Sequence, residues 1–247
     1  MNLNQETQNK AFDYRFLRLL IGIIAFAMPI IVWIFSTDEL LSISASYYTN
    51  MREIFTGSLF IVGAFLMAYN GHSFGQLVLS KIASVSIVLI ALFPTECKEC
   101  STEIIESIRS ICQSCSIDNI AKVHYASAGI SFFILGIFCV VFFRKRIDQK
   151  VKERMENGGH GITKREVTRK SIYLLCGLVI FACIIILFVT GFILDKRVIA
   201  GINVFFWTEA IALWSFGLSW FIAGKALSLI VDDYDRYYPM RPELNLD

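Results

Sequence analysis

The chain has 247 residues, a formal net charge of +2, 55% hydrophobic and only 18% charged residues, and a mean hydropathy of +0.59. That balance excludes an ordinary soluble domain, which carries about 25% charged residues and shorter apolar runs. It also lacks the basic excess of a nucleic-acid-binding protein, so no nucleic-acid partner is expected.

Runs of about 20 apolar residues mark membrane-spanning helices. Six occur, at 17–35, 54–69, 77–94, 122–143, 171–194 and 203–223, the second and third near the lower length limit. The expected fold is all-α, a polytopic bundle of six transmembrane helices over 17–225. A polar N-terminal arm (1–16) precedes it and an acidic, aromatic tail (226–247) follows. Lys and Arg set the orientation, because cytoplasmic segments collect them. With the N-terminus inside, Lys10, Arg15, Arg18, Lys81, the basic run of 144–170, Lys225, Arg236 and Arg241 lie inside. Only Arg52, Lys98, Arg109, Lys122, Lys196 and Arg197 lie outside. Both termini are therefore expected in the cytoplasm, and the bacterial inner membrane is the expected location. The first span is long for a signal-peptide core and no Ala-x-Ala site follows it, so it is read as a retained span.

In chain order, Trp33-Ile34-Phe35 closes the first span as an interfacial anchor. The loop from Ser36 to Arg52 follows, and Ser42, Ser44, Ser46, Tyr47 and Tyr48 make it dense in hydroxyls. It reads either as a solvated turn or as a lid over a pocket. The second and third spans form a hairpin around Asn70-Gly71-His72, where His72 is a loop histidine and Lys81 snorkels to the inner surface.

The outer loop 95–121 carries Cys97, Cys100, Cys112 and Cys115 as two Cys-x-x-Cys pairs around a helical apolar pattern. Outside the cell such thiols oxidise, so two disulfides stapling a helical hairpin are expected and no metal is. Tetrahedral zinc also fits the spacing and becomes the reading if the topology is inverted. A thiol-redox role is the third alternative. The fourth span opens at His124 and is crowded with Ala126, Ser127, Ala128, Gly129, Ser131 and Gly136, which suggests a central helix. The inner loop 144–170 is strongly basic and contains Asn157-Gly158-Gly159-His160-Gly161. It reads as a topology determinant, with attraction to anionic lipid as the alternative. The fifth span carries no charge, and its Cys176 and Cys183 read as small apolar residues.

The sixth span holds the feature that organises the rest. Glu209 lies inside an apolar run, where a charge costs roughly 2.5–3.5 kcal/mol on insertion scales. Such residues face a bundle interior and find partners. Side chains lean toward a helix N-terminus, so Glu209, His124 and Arg52 are expected to converge below the Ser42–Tyr48 loop, near Asn203. A carboxylate beside an imidazole suits acid–base work, Arg52 suits a phosphate or carboxylate, and a loop serine or tyrosine becomes a nucleophile if it reaches His124. A satisfied ion pair that only specifies packing is the alternative.

Four short motifs occur in chain order: Ser42-Ile43-Ser44, Arg52-Glu53-Ile54-Phe55, Val123-His124-Tyr125-Ala126-Ser127-Ala128 and Trp207-Thr208-Glu209. Together, over roughly 15–225, they resemble the six-helix DRAM-type family that includes the FGF-receptor-activating protein, with uncharacterised bacterial relatives. The resemblance implies six helices with cytoplasmic ends and assigns His124, Glu209 and the Ser42–Ser44 loop to a pocket. Lipid binding or remodelling is the activity it implies.

The expected function is thus an outward-facing polar pocket that binds or senses a lipid or amphipathic ligand, without a cofactor. Two alternatives stand beside it. One is a lipid hydrolase or acyltransferase with His124 as base and Glu209 as its orienter. The other is a non-catalytic assembly partner presenting the stapled loop to a second copy or another membrane protein.

Overall fold

The computed structural model describes residues 3–71, 73–95, 118–192 and 203–224, with side chains described over 16–71, 73–95, 120–191 and 203–224. Cys97, Cys100, Cys112 and Cys115, His72 and the tail 226–247 lie outside the described residues, as do the disulfide and zinc readings that rest on the four cysteines.

Helices account for nearly all of the described chain. They are α1 (Leu3–Phe35), α2 (Arg52–Ala68), α3 (Phe74–Leu92), α4 (Asp118–Ile137), α5 (Arg144–Glu156), α6 (Lys164–Phe192) and α7 (Val204–Ala223). A 3-10 turn occupies Ser44–Tyr48, and a π segment, Phe138–Phe143, joins α4 to α5 without a break. Five stretches are long and apolar enough to cross a membrane: Phe16–Phe35, Phe74–Leu92, Ile120–Glu156, Lys164–Gly191 and Val204–Ala223. The second expected span, α2, is an apolar helix of 17 residues.

The helices form a closed ring. Along the chain α1 packs on α2, α2 on α3, α3 on α4, α4 on α6 and α6 on α7, and α7 returns to α1. The interior is aromatic and aliphatic, with Tyr69, Phe138, Phe216 and Trp220 stacked at its centre. The outward faces are apolar too: Leu175 is 62% exposed and Ile185 63%. A ring that is greasy on both sides fits hydrocarbon rather than water.

Glycine sets the closest approach. A Cβ at Gly217 would lie 3.0 Å from the Gly22 carbonyl oxygen, and one at Gly22 would lie 3.1 Å from that of Gly217. The backbones of α1 and α7 therefore touch, as small residues permit between membrane helices. Gly136 and Gly177 do the same between α4 and α6, where Phe181 and Val140 fill the space a Cβ would need. Ser127 and Ser131 are buried, but a Cβ at Gly129 would meet nothing. The small-residue helix is hence one member of the ring, in contact with α3 and α6, and not its centre.

The basic segment expected as an inner loop is mostly helix. Its first half is rich in Lys, Arg and Glu, which favour helix and add the Lys152–Glu156 pair across one turn. Gly158, at φ 74°, ends α5 in the left-handed conformation that glycine tolerates. Thr163 and Glu166 then open α6 as a capping box: Glu166 N–H donates to Thr163 Oγ1 at 3.1 Å and Thr163 N–H donates to Glu166 Oε2 at 2.9 Å.

At the α2–α3 turn, Gly71 adopts φ 66° and Ser73 caps α3 by accepting from Gln76 N–H. Lys81 reaches back to the Met67 and Tyr69 carbonyls, where the end of α2 leaves acceptors open.

Candidate functional site

The site lies at the end of the ring that carries the Ser36–Met51 loop. Pro94 follows Phe93 and cannot continue α3, so the helix ends there with Phe93 extended at φ −108° and ψ 111°. The Phe93 carbonyl has no acceptor role left within the helix. His124, on α4 and 2% exposed, takes it through Nδ1 at 2.7 Å. A carbonyl only accepts, so Nδ1 carries the proton and Nε2 of the neutral ring is left as an acceptor. Ser44 Oγ lies 3.1 Å from that Nε2 and donates to it.

Ser44 is held there by Glu209. The Glu209 carboxylate accepts the Ile43 N–H at 2.7 Å and the Ser44 N–H at 3.3 Å through one oxygen, Oε2. Charged acceptors make the stronger hydrogen bonds, and two backbone donors suit a half-buried carboxylate. The loop is further pinned where Phe206 N–H, an open donor in the first turn of α7, meets the Leu41 carbonyl at 3.1 Å. At its neck Asn50 donates to the Phe35 carbonyl, which closes α1, and accepts from Thr37 N–H. Ile43, 2% exposed, plugs into a cluster with Met28, Phe55, Ile90 and Phe206. The hydroxyl-rich loop is therefore docked on the bundle and not a solvated turn.

Some of the expected site residues meet and others do not. His124, Ser44 and Glu209 form one connected unit, but Glu209 grips the loop backbone and not the imidazole. The orienter of His124 is the Phe93 carbonyl, a backbone group that side-chain reasoning overlooks; Pro94 was its signal. Arg52 forms no ion pair with Glu209. It lies over the Tyr47 ring at 4.8 Å and donates to the Tyr47 hydroxyl at 3.4 Å. Ser42 accepts from Ala45 N–H and so shapes the 3-10 turn. Tyr48 donates to the Thr95 carbonyl at 2.6 Å, and Thr95 in turn meets the Tyr125 hydroxyl at 2.8 Å. Asn203 turns outward to Glu39, at 3.5 Å.

What the arrangement offers is a partly exposed hydroxyl, Ser44, in contact with a buried imidazole of fixed tautomer, and half-buried Arg52 and tyrosines in the same loop and its flank. Trp33, Phe206 and Trp207 stack beside it, with centroids 4.8 and 5.1 Å apart from Trp33. Such aromatic girdles sit at the headgroup level of a bilayer.

The class defined so far is an all-helical protein with helices able to cross a membrane. No family model, no curated protein and no solved structure matches the chain.

Proposed function

We propose that the chain is a six-span membrane protein whose loop-end site binds the polar head of a lipid or another amphiphile. The carrying observation is the lid: Glu209 clamps its backbone so that Ser44 meets His124 at the edge of an apolar bundle. Partly exposed hydroxyls and a guanidinium then lie where apolar wall gives way to polar surface, which is the chemistry an amphiphile presents. The apolar α2, about 25 Å long at the usual rise, supplies the sixth crossing. Clustering of Lys and Arg at the opposite end supports a cytoplasmic position for that end and an outward one for the lid. The likeness to DRAM-type proteins rests on four short motifs, three of which, at Ser42–Ser44, His124 and Glu209, are parts of this same unit, and membership is part of the proposal.

Mass spectrometry of gently purified protein tests the reading. A stoichiometric lipid or amphiphile is expected on the wild type and lost from His124→Ala and Ser44→Ala variants that keep their helicity. Equal retention by all three proteins would sink the proposal.

The Ser44–His124 bond also favours a second reading, acyl transfer. Ser44 Oγ would attack an ester carbonyl, His124 Nε2 would take its proton, and the departing alcohol would receive it. The N–H groups of Ile43 and Ser44 are the nearest oxyanion donors, yet Glu209 occupies both, so this reading requires the lid to release them. Labelling of Ser44 by a fluorophosphonate, abolished in His124→Ala, separates catalysis from binding alone. The assembly reading rests on the cysteine loop, outside the described residues.

A further inference from the structure

Arg52 opens α2 at the loop end of the ring and is half-buried there. Among the described residues it pairs with no carboxylate. The acids of that end are engaged elsewhere: Glu209 holds the loop backbone, Asn203 donates to Glu39, and Thr37 donates to Asp38. Glu53 is adjacent in sequence, but successive residues on a helix do not face each other. Cations in membrane bundles are usually paired. Arg52 has an aromatic ring instead. Its guanidinium carbon lies 4.8 Å from the Tyr47 ring centroid, and Nη2 donates to the Tyr47 hydroxyl at 3.4 Å. That is a single long hydrogen bond for a group rich in N–H donors.

Stacking on Tyr47 also sets where those donors are offered. Ser44 and Tyr47 stand three residues apart on the 3-10 turn Ser44–Tyr48. Side chains at that spacing eclipse one another, about 6 Å apart along the axis of such a turn. The guanidinium on Tyr47 is therefore presented on the same side of the loop as the Ser44 hydroxyl, which meets His124. A ring-stacked guanidinium is held in place and keeps its N–H fork for two oxygens of one anion. Phosphate supplies such a pair of charged oxygens; a bare glycerol head does not.

We infer that Arg52 selects a phosphate-bearing ligand at the lid site, carried either by a lipid or by a soluble phosphate. Its guanidinium takes two phosphate oxygens, while Ser44 and His124 meet the uncharged polar atoms beside them. The inference rests on the lid reading and adds the charge and chemistry of the head. The juxtaposition carries it: a half-buried cation without a counter-charge is stacked in place one 3-10 turn from the hydroxyl of the site.

The test uses two amphiphiles that differ only in the phosphate, lysophosphatidic acid and the monoacylglycerol of the same chain, and inorganic phosphate as the soluble probe. Native mass spectrometry measures retention of each amphiphile by wild type, Arg52→Gln, Arg52→Lys, Ser44→Ala and Lys122→Gln. The last removes an exposed cation of α4 outside the lid. If the source is a lipid, wild type and Lys122→Gln retain lysophosphatidic acid about tenfold better than monoacylglycerol, and Arg52→Gln retains the two alike. Arg52→Lys keeps the charge without the fork, so its preference falls between them and decides the matter should Arg52→Gln misfold. If the source is soluble, inorganic phosphate raises the melting temperature of wild type and Lys122→Gln and not of Arg52→Gln. A preference or shift that survives Arg52→Gln, or that Lys122→Gln loses as fully, overturns the assignment. Equal retention of both amphiphiles by wild type, their joint loss from Ser44→Ala and no shift with phosphate would leave the lid reading standing and overturn this one. Binding of none of the three probes would overturn both.

Discussion

The two ends of the ring treat polar groups in opposite ways. At the lid end Glu209 and His124 are matched by backbone: two N–H groups for the carboxylate, a carbonyl for the imidazole. At the cationic end side chains answer one another: Glu166 meets Arg154 at 2.7 Å and Arg169 at 3.9 Å, and Lys170 meets Asp148. The difference teaches what each end is built for. Backbone partners fix geometry, so the lid end positions a hydroxyl. Pairs of opposite charge tie elements together, so the cationic end joins α5 to α6.

Changes that break the lid end should cost most. Glu209→Ala leaves the Ile43 and Ser44 N–H groups without their acceptor, and each unsatisfied buried donor costs about 1–3 kcal/mol. Thermal unfolding in detergent should show a loss of about 3 kcal/mol, and chymotrypsin should cut at Tyr47 or Tyr48 in the variant but not in wild type. An unchanged melting temperature and an intact loop would mean that the clamp holds nothing.

Within the ring, Gly217→Val drives a side chain into the α1 backbone at Gly22 and should cost about 2 kcal/mol through overpacking. The same change at Gly129, where a Cβ meets nothing, should be close to neutral. If the two variants unfold alike, the α1–α7 contact is looser than described.

At the cationic end, Arg154→Gln removes the closest partner of Glu166 but leaves Arg169 and the Thr163 N–H in place. A loss of about 1.5 kcal/mol in unfolding is expected, since hydrogen bonds to charged groups contribute roughly 1.5–3 kcal/mol. A smaller loss belongs to Arg52→Gln. Its contact with Tyr47 is a half-exposed cation–π pair worth about 0.5–1 kcal/mol. If Arg52 serves a ligand, retention of that ligand should fall by more than the stability does.

Much of this arrangement was legible in the sequence, for identifiable reasons. Apolar run length marked where helices lie, because the hydrocarbon core fixes the length a crossing needs. Glu209 and His124 stood out because a polar group at that depth has to be answered. What could not be read was who answers them. The partners are backbone groups of Ile43, Ser44 and Phe93, and main-chain donors and acceptors leave no side-chain signature. The same blindness produced the Arg52 expectation: pairing opposite charges by depth ignored Tyr47, five residues away, which holds the guanidinium instead. The start of α6 was misjudged for a different reason. Basic residues suggested a loop, although Thr163-x-x-Glu166 is a helix-opening signature visible in the sequence.

The central claim is that the lid presents Ser44 to a His124 imidazole whose proton sits on Nδ1. Nitrogen-15 NMR of histidine-labelled protein tests it directly, because the chain has only three histidines and His72→Gln and His160→Gln isolate the third. The account predicts a neutral Nδ1–H tautomer for His124, with an Nε2 resonance that moves on Ser44→Ala. An Nε2–H tautomer, or an Nε2 signal indifferent to Ser44, would contradict it.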